Sequence, residues 1–477
     1  MINENITIHD KFKFEIKFNY PIKEKKTKYE IESYLFFPQS LAISEYFDNQ
    51  SFYHSIQSYI RFKTPTILLK DIPEKSSILK KSFEKLAKEF NKKNKKEFEN
   101  SIKLYGVISK SSLREHFNFI KTKKIKKDLE FLIEEYIKHS QRLLNSYRDL
   151  RKTIIIPTIK ENIFSIFRYG DEYLSIVVNK TTYRILEEIK DKNIDKKYID
   201  KLLTQIENEL NYRKINNLNI QIYENSDNSL FLYKSSNLKK FISSLLFLNT
   251  RTDKADRFIT QMVYSFAAGL SMIFATFVAF KAQHFFGSFT TPLFMALVVS
   301  YIFKDRIKDL IKFYFNKKFR KKVFDYKTVI KHNSKIIGVA SERATITSFE
   351  YLDEEIKKIR VPQDFTIINN GINGEDVIFY KKKIKIFSSA VDEKLHGIKI
   401  DGINDIIRFD ISKYTRNMDN PTKKIFFYKD RNYTVIKAKK VYHINLVMIY
   451  TDGKKDKVYK KFRIILNRRG IINIRTE

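Results

Sequence analysis

The sequence predicts an α+β membrane protein in which a two-helix transmembrane hairpin joins an N-terminal, mostly helical cytosolic domain to a C-terminal, β-rich cytosolic domain. Three patterns predict this fold class. Two long uncharged runs lie near the middle of the chain, helical spacing of apolar residues precedes them, and alternation of apolar with polar residues follows them. The predicted domain boundaries are residues 1–250, 251–322 and 323–477.

The N-terminal region changes character near residue 76. Residues 12 to 20 carry apolar side chains at every second position, which predicts a half-buried strand, and residues 28 to 37 resume extended structure. We expect these two segments to form an antiparallel pair. From residue 76 to residue 215, apolar side chains recur every three or four positions, which predicts a helical bundle with a charged exterior.

The central segment contains a 23-residue run, 258–280, without one charge, although 31% of the chain is charged and its net charge is +36. As a helix this run is about 34 Å long, which exceeds the roughly 30 Å of a hydrocarbon core. Lys281 and His284 interrupt it before a second uncharged run, 285–303. Two transmembrane passes are predicted, and a buried helical hairpin of a soluble protein is the alternative.

The connection between the two runs is suited to a tight turn. Gly287 can adopt a turn conformation, and Pro292 can occupy the first turn of a new helix, where its missing N–H removes no hydrogen bond. Lys and Arg are dense before the first run and after the second, whereas the connection holds only Lys281. The charge distribution predicts a multi-pass protein of the inner (plasma) membrane with both termini in the cytoplasm.

The segment 304–322 follows the second run and holds nine basic and two acidic residues. Its apolar residues have helical spacing, which predicts a juxtamembrane helix lying at the lipid headgroups. The predicted partner is a lipid bilayer with anionic headgroups. The residues expected to bind this surface are Lys304, Arg306, Lys308, Lys312, Lys317, Lys318, Arg320, Lys321 and Lys322.

Small residues recur every fourth position in the central segment. Close approach of helix backbones in lipid requires such residues. One alternative is that they pack the two spans together within one chain; the other is that they also form a homo-oligomer. The predicted helix-packing residues are Ala267, Ser271, Ala275 and Ala279 in the first span and Ala296 and Ser300 in the second.

The C-terminal region shows alternation typical of strands. Apolar side chains occupy every second position from Tyr442 to Tyr450 and from Phe462 to Leu466, and Asp452 with Gly453 forms a turn signal between them. We expect a mostly antiparallel sheet or a small barrel over about the last 150 residues.

Motifs that carry chemistry are scarce. The chain has no cysteine, which excludes thiol nucleophiles and cysteine zinc sites, and it lacks the glycine-rich phosphate loops and the paired histidines of zinc proteases. Neither a cofactor nor a metal is predicted. Nucleic acid is not the predicted partner, because the abundance of Lys together with Ile and Asn is the composition that AT-rich codon usage produces.

The function predicted is therefore that of an integral membrane protein acting as a membrane-tethered cytosolic scaffold or regulatory binding module. The alternative is a membrane-bound enzyme with a cytosolic site assembled from dispersed residues. A deep pocket with convergent ionisable groups favours the enzyme, whereas exposed apolar patches favour the binding module.

Overall fold

The computed structural model of the 477-residue chain describes all residues except 1–2, 23–25, 152–160, 219–221, 223, 316–322, 333–334, 361–373, 389–399 and 453–456. These residues form an α+β protein with two compact units. The first, the sheet unit, consists of residues 1–60, 248–391 and 402–477. The second, the helical unit, consists of residues 61–247 and 392–401.

Fourteen strands are described. They are β1 Asn3–Ile8, β2 Lys13–Pro21, β3 Lys26–Phe37, β4 Ile56–Phe62, β5 Asn249–Lys254, β6 Tyr326–His332, β7 Lys335–Ser348, β8 Asp376–Phe387, β9 Gly402–Asp410, β10 Thr422–Lys429, β11 Asn432–Lys439, β12 Tyr442–Asp452, β13 Lys457–Asn467 and β14 Gly470–Thr476.

The strands form three sheets. An eight-stranded sheet has the order β14-β13-β12-β3-β8-β7-β6-β5, a four-stranded sheet has the order β1-β2-β9-β4, and β10 and β11 form a two-stranded sheet. The alternation of apolar and polar residues determines which side chains of β2 enter the core of the sheet unit. Every second residue of β2 is buried, from Phe14 to Tyr20. Aromatic rings link the two larger sheets: the ring of Tyr20 on β2 stacks on that of Tyr29 on β3, with centroids 5.0 Å apart.

Strand pairing places the two ends of the chain in one unit. Within β3, Tyr34 pairs with Phe379 of β8 on one side and with Val447 of β12 on the other. The predicted boundaries, with residues 1–250 as one domain and 323–477 as another, therefore differ from the compact units. The expected pairing between residues 12–20 and 28–37 is wrong, because β2 pairs with β1 and β9.

Eleven α-helices are described. They are α1 Ile43–Tyr46, α2 Asn49–His54, α3 Ser76–Lys88, α4 Lys92–Thr122, α5 Lys126–Arg148, α6 Glu161–Ile189, α7 Lys196–Ile215, α8 Ser229–Ser243, α9 Asp256–Phe286, α10 Thr291–Tyr314 and α11 Glu354–Arg360.

Helices α3 to α7 confirm the helical character predicted from residue 76 to residue 215, of which residues 152–160 lie outside the described part of the chain. Local chemistry fixes several ends; the side chain of Asn91, for example, accepts a hydrogen bond from the Asn94 N–H at 2.8 Å and caps α4. A buried ion network joins three helices. Arg148 on α5 donates to both carboxylate oxygens of Glu209 on α7, at 2.8 and 2.7 Å, and to Asp171 on α6 at 3.0 Å. Because each charge in this network has a partner, we assign it a structural role.

Candidate functional site

The helices α9 and α10 form an antiparallel hairpin between two neighbouring strands of the large sheet, and we call it the helical hairpin. Among the residues that the structure describes, one helix is long and apolar enough to cross a membrane, Thr260–Phe286 within α9. The core helix of a soluble protein can pass the same test, but such a helix is mostly buried. Only 11% of the apolar window in α9 is buried.

The second helix does not meet that criterion, so the predicted pair of spanning helices is supported only in part. Phe285 and Phe286 close α9 rather than open the next helix, and α10 begins at Thr291. Its first charge is Lys304, which leaves about thirteen uncharged residues, or about 20 Å of helix. The predicted run 285–303 therefore mixed the end of one helix with the turn and the start of the next.

The turn between α9 and α10 contains Gly287 and Pro292 in the positions predicted for them. Gly287 has φ +73, a conformation that favours glycine, and it follows the last residue of α9. The Thr290 side chain accepts a hydrogen bond from the Leu293 N–H at 3.4 Å, and Pro292 lies in the first turn of α10. The local sequence thus specifies this turn between the two helices.

Small residues lie where the two helices pack. The Ser300 hydroxyl donates to the Ala275 carbonyl oxygen at 3.4 Å, while Ala267 and Ser271 are buried. Ala279 and Ala296 are half-buried. This arrangement agrees with packing inside one chain, and formation of a homo-oligomer stays a prediction.

Four of the nine basic residues expected at the membrane surface lie in the described part of the chain, and these four do not form a separate helix. Residues Lys304, Arg306, Lys308 and Lys312 continue α10 without a break. The ammonium of Lys304 lies 3.7 Å from the Tyr301 ring centroid, a contact that holds the side chain along the helix. The remaining predicted residues, Lys317, Lys318, Arg320, Lys321 and Lys322, lie outside the described part of the chain.

The alignment of the two helices gives the length of the hairpin over which neither helix carries a charge. Because Ser300 lies beside Ala275, the first charge of α10, Lys304, lies at the level of Ser271 in α9. Lys281 follows Ser271 by about ten residues, which is about 15 Å along the helix. The uncharged band is therefore about half as thick as a hydrocarbon core of roughly 30 Å.

Large apolar side chains are exposed along the whole helical hairpin. In a soluble helix such residues form one stripe that faces the core, but here three consecutive residues of α9, Met272, Ile273 and Phe274, are exposed, and they span more than half of the helix circumference. The exposed side chains include Met262, Phe266, Leu270, Met272, Ile273, Phe277, Phe280, Phe285, Phe289, Phe294, Met295, Tyr301, Ile302 and Phe303.

Both ends of the helical hairpin are fixed at one place in the sheet unit. Lys254, the last residue of β5, pairs with Tyr326, the first residue of β6. The next residues continue the contact, since the Ala255 N–H donates to the Asp325 carbonyl oxygen at 2.9 Å. The Asp325 carboxylate in turn accepts from the Tyr53 hydroxyl, also at 2.9 Å. The strands on either side of the hairpin, β5 and β6, are thus paired in one sheet.

A groove lies in the sheet unit beside this root, and we call it the threonine groove. It has a volume of about 340 Å³ and is formed by α2, β4, β5, β6 and one residue of β7. Its lining residues are Gln50, Tyr53, His54, Ile56, Ser58, Ile60, Thr250, Thr252, Tyr326, Thr328 and Glu342.

A buried charge cluster lies behind the groove. The Lys382 ammonium contacts Asp405 at 2.6 Å and Glu342 at 3.0 Å, and both Lys382 and Asp405 are fully buried. The Ser58 hydroxyl donates to Asp405 at 3.0 Å and accepts from Lys382 at 3.3 Å. Glu342 and Ser58 belong to both the cluster and the groove.

The charge state of this cluster follows from its burial and its partners. Burial alone lowers the pKa of Lys382, but the attraction of Asp405 and Glu342 outweighs it and raises the pKa above its ordinary value. Burial, together with the nearby Glu342 and Asp405, raises the pKa of the Tyr380 phenol. At neutral pH the lysine is therefore an ammonium and the phenol is neutral.

Sequence reasoning missed this cluster. The signal was present in β8, where Lys382 lies in the same alternating register as the buried Tyr380, Ile384 and Ile386. A lysine in a buried register indicates a buried ion pair. Its partners Glu342 and Asp405 are 40 and 23 positions away in sequence, so only the strand pairing brings them together.

A second exposed feature of the sheet unit is the β10–β11 arm, residues 422 to 439. All sixteen residues of its two strands have exposed or half-exposed side chains. Phe426 is 75% exposed and Tyr428 is 71% exposed. Lysines flank this apolar middle on both strands. Such a surface is one of the two features that distinguish a binding module from an enzyme.

We expect Ala275→Leu to destabilise the helical hairpin, because a bulky side chain at the helix contact displaces Ser300. Overpacking of this kind costs about 1–3 kcal/mol. Gly269→Leu is the matched control, since an added Cβ at Gly269 meets no atom within 4 Å. Thermal unfolding of both variants in detergent measures the difference, and equal behaviour of the two contradicts the packing. Light scattering on the same samples reports whether a dimer is lost.

Comparison of the chain with protein-family models, curated proteins and solved structures finds no match. Any function must therefore be inferred from the residues of this chain.

Proposed function

We propose that the chain is a membrane-attached binding module, in which the helical hairpin enters the lipid bilayer and the sheet unit remains in the cytoplasm. The observation that carries this proposal is the exposure of large apolar side chains on more than one face of the hairpin. A second protein copy would cover one face, whereas lipid covers all of them. Burial of apolar surface is worth about 25 cal/mol per Å², so this surface strongly favours lipid over water.

The proposed topology has both termini on the same side of the membrane. Both ends of the hairpin meet at the paired residues Lys254 and Tyr326, and both chain termini belong to the sheet unit. A hairpin that enters and returns is compatible with this arrangement, whereas a single crossing would separate strands that are hydrogen-bonded to each other. The basic residues of α10 support a cytoplasmic placement of the root, next to anionic headgroups.

The turn between the helices is proposed to reach the opposite membrane surface. Lys281, Gln283, His284 and Ser288 lie near this turn, and such polar groups are costly in hydrocarbon. The uncharged band of about 15 Å is short, so the bilayer must thin locally and the ammonium groups of Lys281 and Lys304 must extend outward. For Lys304 this means leaving its contact with the Tyr301 ring.

Single-cysteine labelling tests this topology cleanly, because the natural chain has no cysteine. We expect Ser288→Cys at the turn to react with a membrane-impermeant maleimide in intact cells. Tyr351→Cys is the control, since Tyr351 is 81% exposed in the sheet unit and should react only after permeabilisation. Maleimide-linked mass shifts on a gel give the labelled fraction.

Two results would contradict the proposal. If Ser288→Cys reacts only after permeabilisation, then the hairpin does not cross the bilayer. If the full chain remains in the supernatant after detergent-free lysis and ultracentrifugation, then it is not attached to a membrane at all.

A membrane-bound enzyme is the second candidate, and the threonine groove with Ser58, Lys382 and Asp405 is the observation that favours it. A serine nucleophile needs a nearby base that can accept its proton. The raised pKa keeps Lys382 protonated, and Asp405 already pairs with Lys382 at 2.6 Å. Because neither group is suited to act as that base, the groove supports binding better than nucleophilic catalysis.

A further inference from the structure

The threonine groove is lined by residues of one helix and several strands, and its side chains come from particular faces of these elements. On α2, Gln50, Tyr53 and His54 have i, i+3, i+4 spacing and share one helix face. On β4, Ile56, Ser58 and Ile60 alternate and share one strand face. A set of side chains that shares faces in this way forms a defined lining.

The opposite wall is a face of β5 and β6 that is rich in hydroxyl groups. Thr250 and Thr252 alternate on β5, and Thr328 lies on β6 directly opposite Thr252. The hydroxyls of Thr252 and Thr328 are 2.9 Å apart, so one donates to the other. Each hydroxyl has more than one acceptor lone pair and keeps hydrogen-bonding capacity for a ligand.

The size of the groove limits what it can hold. Its volume of about 340 Å³ is near the lower end of the 300–1,000 Å³ range typical of ligand sites. A molecule of monosaccharide to disaccharide size matches this volume, while a dinucleotide or a folded peptide does not.

The lining lacks the Lys and Arg side chains that anionic ligands usually bind. Lys and Arg account for 91 of 477 residues in the chain, but none of the eleven lining residues is Lys or Arg. Phosphate and carboxylate groups are recognised by such cations. A groove that omits them in so basic a chain is not built for a phosphorylated or acidic molecule.

The buried cluster also argues against a cationic ligand. Glu342 is the lining carboxylate, and Lys382 already lies 3.0 Å from its Oε1 atom. An ammonium group of a ligand bound to Glu342 would lie close to the Lys382 ammonium and be repelled by it. A ligand hydroxyl can donate to the same carboxylate without that repulsion. Lys382 thus holds Glu342 in place as an acceptor for neutral donors.

From these observations we propose that the threonine groove binds a small, neutral, polyhydroxylated molecule of sugar size. Hydroxyls of the ligand donate to Glu342 and exchange hydrogen bonds with Gln50, Ser58 and Thr252, and its C–H surface packs on Tyr53 or Tyr326. This proposal names the ligand class of the binding module. It rests on the binding part of the proposed function but not on membrane attachment.

Titration calorimetry on the detergent-solubilised full chain tests the proposal. The probes are glucose, galactose, mannose, N-acetylglucosamine, sucrose and trehalose, with inorganic phosphate and ethanolamine as the charged comparators. We expect at least one neutral sugar to bind and neither comparator to compete with it. Absence of binding by all six sugars, or binding of phosphate or ethanolamine in their place, overturns the proposal.

Two groove variants and one control assign the binding to this site. We expect Thr252→Val and Glu342→Gln each to weaken sugar binding by about tenfold or more, the effect of one lost hydrogen bond to a ligand. Thr434→Val removes an exposed hydroxyl of the β10–β11 arm and should leave affinity unchanged. Because Thr252→Val does not touch the charge cluster, it remains informative if Glu342→Gln fails to fold. Equal affinity of Thr252→Val and the natural chain overturns the assignment.

Failure of this proposal is distinguishable from failure of membrane attachment. The calorimetric result does not depend on a bilayer, and the labelling of Ser288→Cys does not depend on a sugar.

Discussion

Removal of the helical hairpin is expected to move the protein almost completely from the membrane fraction to the soluble fraction. The variant lacks residues 256–324, and Asn-Gly joins Ala255 to Asp325. Ala255 and Asp325 are hydrogen-bonded neighbours at the ends of the paired strands β5 and β6, so a two-residue turn can connect them. The apolar surface that favours lipid is lost, while the pairing of the sheet is retained.

The β10–β11 arm provides a matched control for this deletion. Its base is also closed, because the Lys440 N–H donates to the Pro421 carbonyl oxygen at 2.9 Å. A variant in which Asn-Gly replaces residues 422–439 loses an exposed apolar protrusion of the same unit, and we expect it to remain in the membrane fraction. Ultracentrifugation and flotation of lysates measure both variants, and circular dichroism of the soluble variant reports retention of the fold.

This comparison distinguishes a specific membrane anchor from nonspecific association through exposed apolar surface. If both deletions release the protein, then exposed apolar surface of any kind accounts for sedimentation and the proposed anchor is wrong. If the chain without the helical hairpin still floats with membranes, another segment attaches it.

The substitution Lys382→Met is expected to reduce the free energy of unfolding by about 3–5 kcal/mol, the usual cost of leaving a buried charge without its partner. Lys382 is fully buried between Asp405 and Glu342, and Asp405 is itself inaccessible to solvent. Methionine fills most of the space of the lysine chain but cannot neutralise either carboxylate. The result is a buried negative charge without a countercharge in the cluster, since the Ser58 hydroxyl still donates to Asp405 but cannot neutralise it.

The neighbouring residue supplies the control. Lys383 points to the opposite face of β8, its side chain is 48% exposed, and it contacts Glu30 at 2.9 Å. Because solvent screens such a pair, we expect Lys383→Met to change stability by less than about 1 kcal/mol. Urea unfolding of the soluble chain without the helical hairpin, or thermal unfolding of the full chain in detergent, compares the two variants.

A third variant tests the cause of the loss. Adding Asp405→Asn and Glu342→Gln to Lys382→Met removes both uncompensated charges, and we expect part of the stability to return. Similar losses for Lys382→Met and Lys383→Met, or no recovery in the triple variant, would show that the cluster is not a buried ion pair of this kind.

Prediction from sequence was most accurate where the pattern is local. Helical spacing located the helices between residues 76 and 215, alternation located β2, β12 and β13, and Gly287 with Pro292 located the turn of the helical hairpin. Each of these features depends on residues within a few positions of one another. A helix face and a strand face repeat with fixed periods, so the chain itself records them.

Boundaries between similar apolar segments were less accurate. Residues 285–290 are uncharged, as are the residues that follow, and hydropathy therefore assigned them to a second span. The structure assigns Phe285 and Phe286 to α9 because the turn begins at Gly287. The short uncharged part of α10 follows from this shift, and it reduces the thickness of the uncharged band in the proposed membrane crossing.

The sequence by itself determined an α+β chain with a helical bundle, alternating strands and one apolar helical hairpin. It could do so because composition, the spacing of apolar residues and the residues of turns are properties of neighbouring positions. Tertiary structure alone decided which strands pair. Alternation shows which face of a strand is buried but not which strand lies beside it, so the pairing of β3 with β8 and β12 was not visible. The threonine groove and the cluster of Lys382, Glu342 and Asp405 depend on that pairing, because it brings together side chains that are far apart along the chain.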